Sequence, residues 1–171
     1  MEQLELVLRL IAAMILGAAL GAERERGNKS AGLRTLTLVS LGAALYAVLG
    51  EQIVKGGGGG QGGEPDPTRI VAGLVGGVGF LGAGAIFQAR GNVKGLTTAA
   101  GIWMTAAIGV GCGLGEYVLA TAGTLLALVT LVGLTPLERA INGKSRRDQK
   151  RDFAEGDEDE GGPVGEGGAG H

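Results

Sequence analysis

The residues able to do chemistry are few, and they stand at the edges of long uncharged runs. Glu23 and Arg24 close the first run, Arg34 precedes the second, Asp66 and Arg69 bracket Pro67 ahead of the third, and Thr97 and Thr98 open the fourth. Glu23 turned into a helix bundle would offer a cation or a partner a carboxylate. As an interfacial charge cluster, the same stretch would anchor the helix end through Arg24 and Arg26. Arg34 lies on the same side as Glu23, so a Glu23–Arg34 ion pair is expected, with little stability gained if it is buried. Asp66 followed by Pro67 reads as an N-cap and N1 proline, an ordinary helix start. Its functional alternative is a cation-attracting carboxylate at the mouth of the bundle. Thr97 and Thr98 read either as caps of the helix they open or as the lining of a vestibule.

Other chemistry is excluded by residue type. Cys112 is the one cysteine and His171 the one histidine, which rules out an intrachain disulfide and any multi-cysteine metal site. No Ser/His/Asp set, HExxH, P-loop or CxxC occurs. Gly77-Val78-Gly79-Phe80-Leu81-Gly82 spells G-x-G-x-x-G, but no strand precedes it and no acid follows at the required distance, so a dinucleotide site is rejected. A non-enzymatic protein without cofactor is expected.

The elements that must position these residues are membrane helices. Five apolar segments are predicted, at about 4–22, 35–54, 70–89, 95–115 and 117–137, giving an all-α polytopic transmembrane bundle. Only Glu116 separates the last two. Together they would form a helix of roughly 60 Å, twice a hydrocarbon core of about 30 Å, so a tight turn is predicted at Gly113-Leu114-Gly115-Glu116. Strands are rejected for lack of sustained alternation. The N-terminal run is read as a retained helix, because Glu2, Glu5 and Arg9 precede it where a signal peptide needs positive charge.

Sorting Lys and Arg by side under five spans gives a 12:3 split. Arg24, Arg26, Lys29, Arg34, Arg90, Lys94 and the six basic residues from Arg139 to Arg151 fall on one side, and Arg9, Lys55 and Arg69 on the other. The positive-inside rule then places the N-terminus outside and the C-terminus in the cytoplasm. Glu23 and Asp66 fall on opposite sides, too far apart to share one Mg²⁺, which takes octahedral oxygen ligation and usually one or two carboxylates. The connector Glu51–Arg69, with its run Gly56–Gly60, is read as a flexible external loop. Two parts are expected: a transmembrane domain over 1–138 and a charged, glycine-rich, disordered cytoplasmic tail over 139–171.

Glycine is the packing material. The 36 glycines in 171 residues far exceed a usual share of about 7%. The pairs Gly17/Gly21, Gly73/Gly77 and Gly109/Gly113 are spaced four apart, which puts both members on one helix face for close approach. Gly79, Gly82 and Gly84 make the third span small-sided on several faces, so it is expected at the bundle centre.

Taken in order, G-x-E-R at Gly21–Arg24, A-G-L-R-T at Ala31–Thr35, D-P-x-R-I at Asp66–Ile70, G-F-L-G-A-G at Gly79–Gly84 and G-L-T-T-A-A at Gly95–Ala100 resemble the MgtC/SapB family of bacterial inner-membrane proteins. The resemblance covers roughly Leu8–Tyr117. It implies a link to magnesium homeostasis, low-magnesium growth and, in pathogens, intracellular survival. For some members it implies inhibition of the F-type ATP synthase. The third span departs from the pattern, with glycines at Gly73 and Gly76 where the family often has glutamine and serine. Longer members also carry a folded cytoplasmic domain after the last span. The expected partners are the lipid bilayer, a membrane complex such as the F-type ATP synthase and a second copy of the chain; no nucleic acid is expected. No acidic or basic side chain lies in the core of spans two to five, where a coupled carrier normally places one. The expected role is therefore regulation of a membrane complex, with transport of Mg²⁺ or another small solute as the alternative.

Overall fold

The computed structural model describes residues 2–56, 67–89, 92–134 and 136. Its helices are α1 (Glu2–Arg26), α2 (Leu33–Lys55), α3 (Pro67–Ala85) and α4 (Leu96–Gly113), with a short hairpin β1 (Phe87–Ala89) and β2 (Asn92–Lys94) before α4. Helix α5 follows over Tyr117–Leu134. Asp66, the run Gly57–Gly60 and the tail from residue 137 lie outside the described residues. The expected domain boundary at residue 138 lies outside the described residues.

Among the described residues four helices are long and apolar enough to cross a bilayer: Gln3–Arg26, Leu33–Lys55, Leu96–Gly113 and Tyr117–Leu134. In α3 the apolar stretch is shorter, Val71–Ala85. Apolar side chains face outward along α1 (Leu4, Val7, Leu8, Ile15) and α5 (Val118, Leu119, Val129). That inverts the exposure of a water-soluble fold and suits a bilayer, in which only helices or closed barrels satisfy their own backbone. The fold is an all-α polytopic membrane bundle.

The bundle is organised around α2 and α4, which pack on each other and each on α1 and α3. Ser40, Ala43, Ala44 and Ala47 recur at helical spacing and are all buried. Glycines from both flanking helices meet this small face. A Cβ at Gly17 would come within 2.5 Å of Ser40 Cβ, and one at Gly21 within 2.7 Å of Leu33 Cα. Cβ atoms at Gly109 and Gly113 would run into the carbonyl oxygens of Ser40 and Ala44. The central position expected for the third span therefore belongs to α2 together with α4. Around Gly73, Gly77, Gly79 and Gly84 of α3 a Cβ would meet nothing within 4 Å, and at Gly82 only ordinary contact with Ala99. Glycine spacing states which face can be approached closely, not whether a neighbour occupies it.

The third helix stops at Ala85 rather than Ala89. Phe87–Ala89 pairs antiparallel with Asn92–Lys94, in the register Phe87↔Lys94, Gln88↔Val93 and Ala89↔Asn92. The uncharged run simply continues into a strand, which absence of charge cannot distinguish from helix. Gly95 then turns the chain into α4 at φ +91°, where a Cβ would collide with the carbonyl oxygen of Ala85.

The turn predicted between the last two spans is present. Gly115 adopts φ +81°, its N–H donates to Cys112 O at 3.0 Å, and the Glu116 N–H donates to Gly111 O at 2.8 Å. This is a Schellman ending, with glycine in the left-handed position. Helix α5 then folds back on α4, where Ala120 and Thr124 are buried and a Cβ at Gly111 would sit 3.4 Å from Ala120 Cβ.

Candidate functional site

Polar side chains gather at the two ends of the bundle. At the first end α1 finishes, a short turn follows, and α4 begins. The α1 terminus is closed by the amides of Gly27, Asn28 and Lys29, which donate to the carbonyls of Glu23, Glu25 and Arg24. Asn28 takes φ +51°, a conformation that asparagine tolerates better than most residues. The turn holds Arg24 inward, where it is 3% exposed, and its Nη2 donates to Thr98 Oγ1 at 3.0 Å. The Ser30 hydroxyl donates to the same oxygen at 3.3 Å. On the residue before Arg24, the Glu23 Oε2 atom is buried and, among the described residues, has no hydrogen-bond partner.

Two expectations at this end are corrected. Glu23 and Arg34 form no ion pair among the described residues, because Arg34 is exposed on the first turn of α2. Glu25 is the carboxylate that reaches α2, accepting the Leu33 N–H at 3.0 Å and so satisfying one of the helix's free amides. Nor do the threonines act as caps. The N-cap of α4 is Gly95 with no side-chain cap, Thr97 is exposed, and Thr98 is committed to Arg24.

The second end is built on Arg9, a residue that sequence reasoning counted only as an outside charge. Its Nη1 donates to Glu51 Oε2 at 2.6 Å and to the Gly113 carbonyl at 3.0 Å, and its Nη2 to Glu5 Oε1 at 2.8 Å. Lys55 Nζ meets the other Glu51 oxygen at 2.6 Å. One guanidinium thus ties α1 to α2 and also satisfies a carbonyl left free at the end of α4. The available signals were the spacings Glu5/Arg9 and Glu51/Lys55, each four apart on a helix. A charge one turn inside a span was another.

The two clusters cannot share a ligand. Arg9 and Arg24 stand on one helix about 22 Å apart by the helical rise. Arg69 opens α3 at the Arg9 end: the far end of α3 abuts Gly95 at the start of α4, beside Thr98. Among the described residues no group of three or more His, Cys, Asp or Glu side chains is placed to hold a metal ion.

A family model described as the MgtC family matches residues 10–140. The chain belongs to the MgtC family. Protein MgtC of Salmonella typhimurium is 44% identical over 137 residues, covering 80% of this chain and 55% of its own. A protein of Synechocystis sp. is 42% identical over 142 residues, covering 83% of this chain and 57% of its own. Protein SrpB of Synechococcus elongatus is 43% identical over 146 residues, with 81% and 79% covered. The chain thus spans a little over half the length of the first two. No solved structure matches. The MgtC-family stretch contains the whole Arg24–Thr98 cluster and begins one residue after Arg9.

Proposed function

We propose that this MgtC-family protein resides in the bacterial inner membrane, N-terminus outside and C-terminus cytoplasmic, as a non-enzymatic regulator of a membrane complex in magnesium homeostasis or stress adaptation. The observation that carries this reading is the state of its charged groups. Arg9 and Arg24 are used as fastenings between helices. Between the two ends the buried side chains of the described residues carry no charge: they are apolar, such as Ala13, Leu20, Leu36 and Ala44, or bear a single hydroxyl, as Ser40, Thr105 and Thr124 do. A coupled carrier needs an ionisable group along its path, whereas a regulator needs apolar faces free for another membrane protein, and α1 and α5 offer them. The F-type ATP synthase is the partner that the family resemblance nominates.

The test is reconstitution of the pure full-length chain into liposomes, beside affinity purification from membranes. The expected results are no Mg²⁺ flux above empty liposomes and co-purification of the ATP synthase or another defined membrane complex. Robust flux from the pure protein overturns the regulator reading.

One observation favours the transporter alternative, namely the buried Glu23 oxygen that has no hydrogen-bond partner among the described residues. On that reading Glu23→Ala or Asp66→Ala abolishes flux in the same liposomes.

A further inference from the structure

Helices α2 and α3 leave between them an apolar groove of about 820 Å³, within the size range of ligand-binding clefts. Its walls include Tyr46, Gly50 and Ile53 of α2 and Gly73, Gly77 and Leu81 of α3. Among the described residues lining it, Arg69 is the one that carries charge. That guanidinium is exposed and has no ion pair among the described residues. It stands two residues into α3, with only Ile70 between it and the apolar stretch Val71–Ala85, and so at the edge of the hydrocarbon region. The groove wall below it is smooth, since a Cβ at Gly73 or Gly77 would meet nothing within 4 Å.

We propose that this groove holds an anionic glycerophospholipid, with the headgroup phosphate at Arg69 and an acyl chain along the glycine wall of α3. Charge selects this occupant. A second copy docked on the same face about an axis normal to the membrane would bring two Arg69 side chains to one depth as like charges with no counter-ion among the described residues. A phosphate neutralises the single one. Length agrees with charge. The apolar stretch of α3 spans about 22 Å, short of a core of about 30 Å, and a short span draws the headgroup region inward by local thinning. The inference does not depend on which side of the membrane is cytoplasmic, or on the regulatory role.

The experiment places a fluorophore in the groove by Tyr46→Trp in a Trp103→Phe background. The full chain is reconstituted in vesicles carrying bromine-labelled acyl chains on either phosphatidylglycerol or phosphatidylcholine. Phosphatidylglycerol is expected to associate about fivefold more strongly, the attraction of one basic residue for anionic lipid. Arg69→Gln should erase the preference and Arg69→Lys retain it. Gly77→Leu should reduce quenching by both lipids. Equal quenching by the two lipids with Arg69 intact overturns the proposal. So does weak quenching by both that rises as the protein is diluted in lipid, the signature of a second copy covering the groove.

Discussion

Arg24 Nη2 lies 3.0 Å from Thr98 Oγ1, joining residues 74 positions apart across the α1–α4 interface. Both side chains are more than nine-tenths buried. An arginine removed from water to this degree must spend its charge on internal partners, and the threonine supplies one by giving up the capping role its position invites. The pair therefore fixes where α4 begins relative to the end of α1, and with it the placement of Ser30 and Glu23.

Replacing Thr98 by valine keeps the shape and deletes the acceptor. A hydrogen bond to a charged group contributes about 1.5–3 kcal/mol, so Thr98→Val should lower the midpoint of thermal unfolding in detergent clearly. Thr97→Val, at an exposed neighbour, should leave it nearly unchanged. Equal effects of the two substitutions would show that the Arg24 contact carries no weight.

Packing gives a sharper contrast, because the same substitution has opposite expected signs on two helices. Gly109→Ala drives a methyl into the Ser40 carbonyl of α2, an overpacking worth about 1–3 kcal/mol of destabilisation. Gly73→Ala meets nothing within 4 Å, and alanine is preferred over glycine within a helix by roughly 0.5–1 kcal/mol. Unfolding midpoints of the two variants should thus move in opposite directions. A loss at Gly73 as large as that at Gly109 would return α3 to the centre of the bundle.

What the chain disclosed of itself follows from which forces act locally. Run lengths marked the five helices, and the two unbroken runs around Glu116 required the turn that Gly115 makes. The end of α3 was hidden, because Phe87-Gln88-Ala89 is as uncharged as the helix before it, and only its pairing with Asn92–Lys94 makes it a strand. The central place of α2 beside α4 was written in Ser40, Ala43, Ala44 and Ala47, residues too ordinary to stand out beside so many glycines. Of the candidate site, Arg24 and Thr98 were both visible as residues worth naming, but their contact was not. Arg9 was missed because its importance depends on three helices whose ends meet only after folding.

The Arg9–Glu51 pair should behave as a coupled unit. Glu51 accepts from Arg9 through one oxygen and from Lys55 through the other, with its side chain 24% exposed. Arg9→Gln and Glu51→Gln, alone and together, form a double-mutant cycle in which residues in contact typically couple by about 0.5–3 kcal/mol. A coupling in that range is expected from unfolding in detergent, and it should persist in high salt, because partly buried pairs are screened less than exposed ones. Strict additivity of the two substitutions would reduce the contact to an exposed ion pair of little consequence.

The turn that returns the chain from α4 to α5 offers the last test. Gly115 sits at φ +81°, and a Cβ there would lie 3.4 Å from the Arg9 guanidinium. A left-handed conformation costs a residue bearing a Cβ about 1–2 kcal/mol, and the added methyl would touch the group that holds α1, α2 and α4 together. Gly115→Ala should therefore destabilise by at least that backbone cost, and Gly115→Asn by less, since asparagine tolerates the left-handed region. If the Arg9 network shares the strain, Gly115→Ala in an Arg9→Gln background should be less damaging than in the parent chain. Comparison of the four unfolding midpoints measures this. An unchanged penalty in the Arg9→Gln background would assign the whole effect to the backbone.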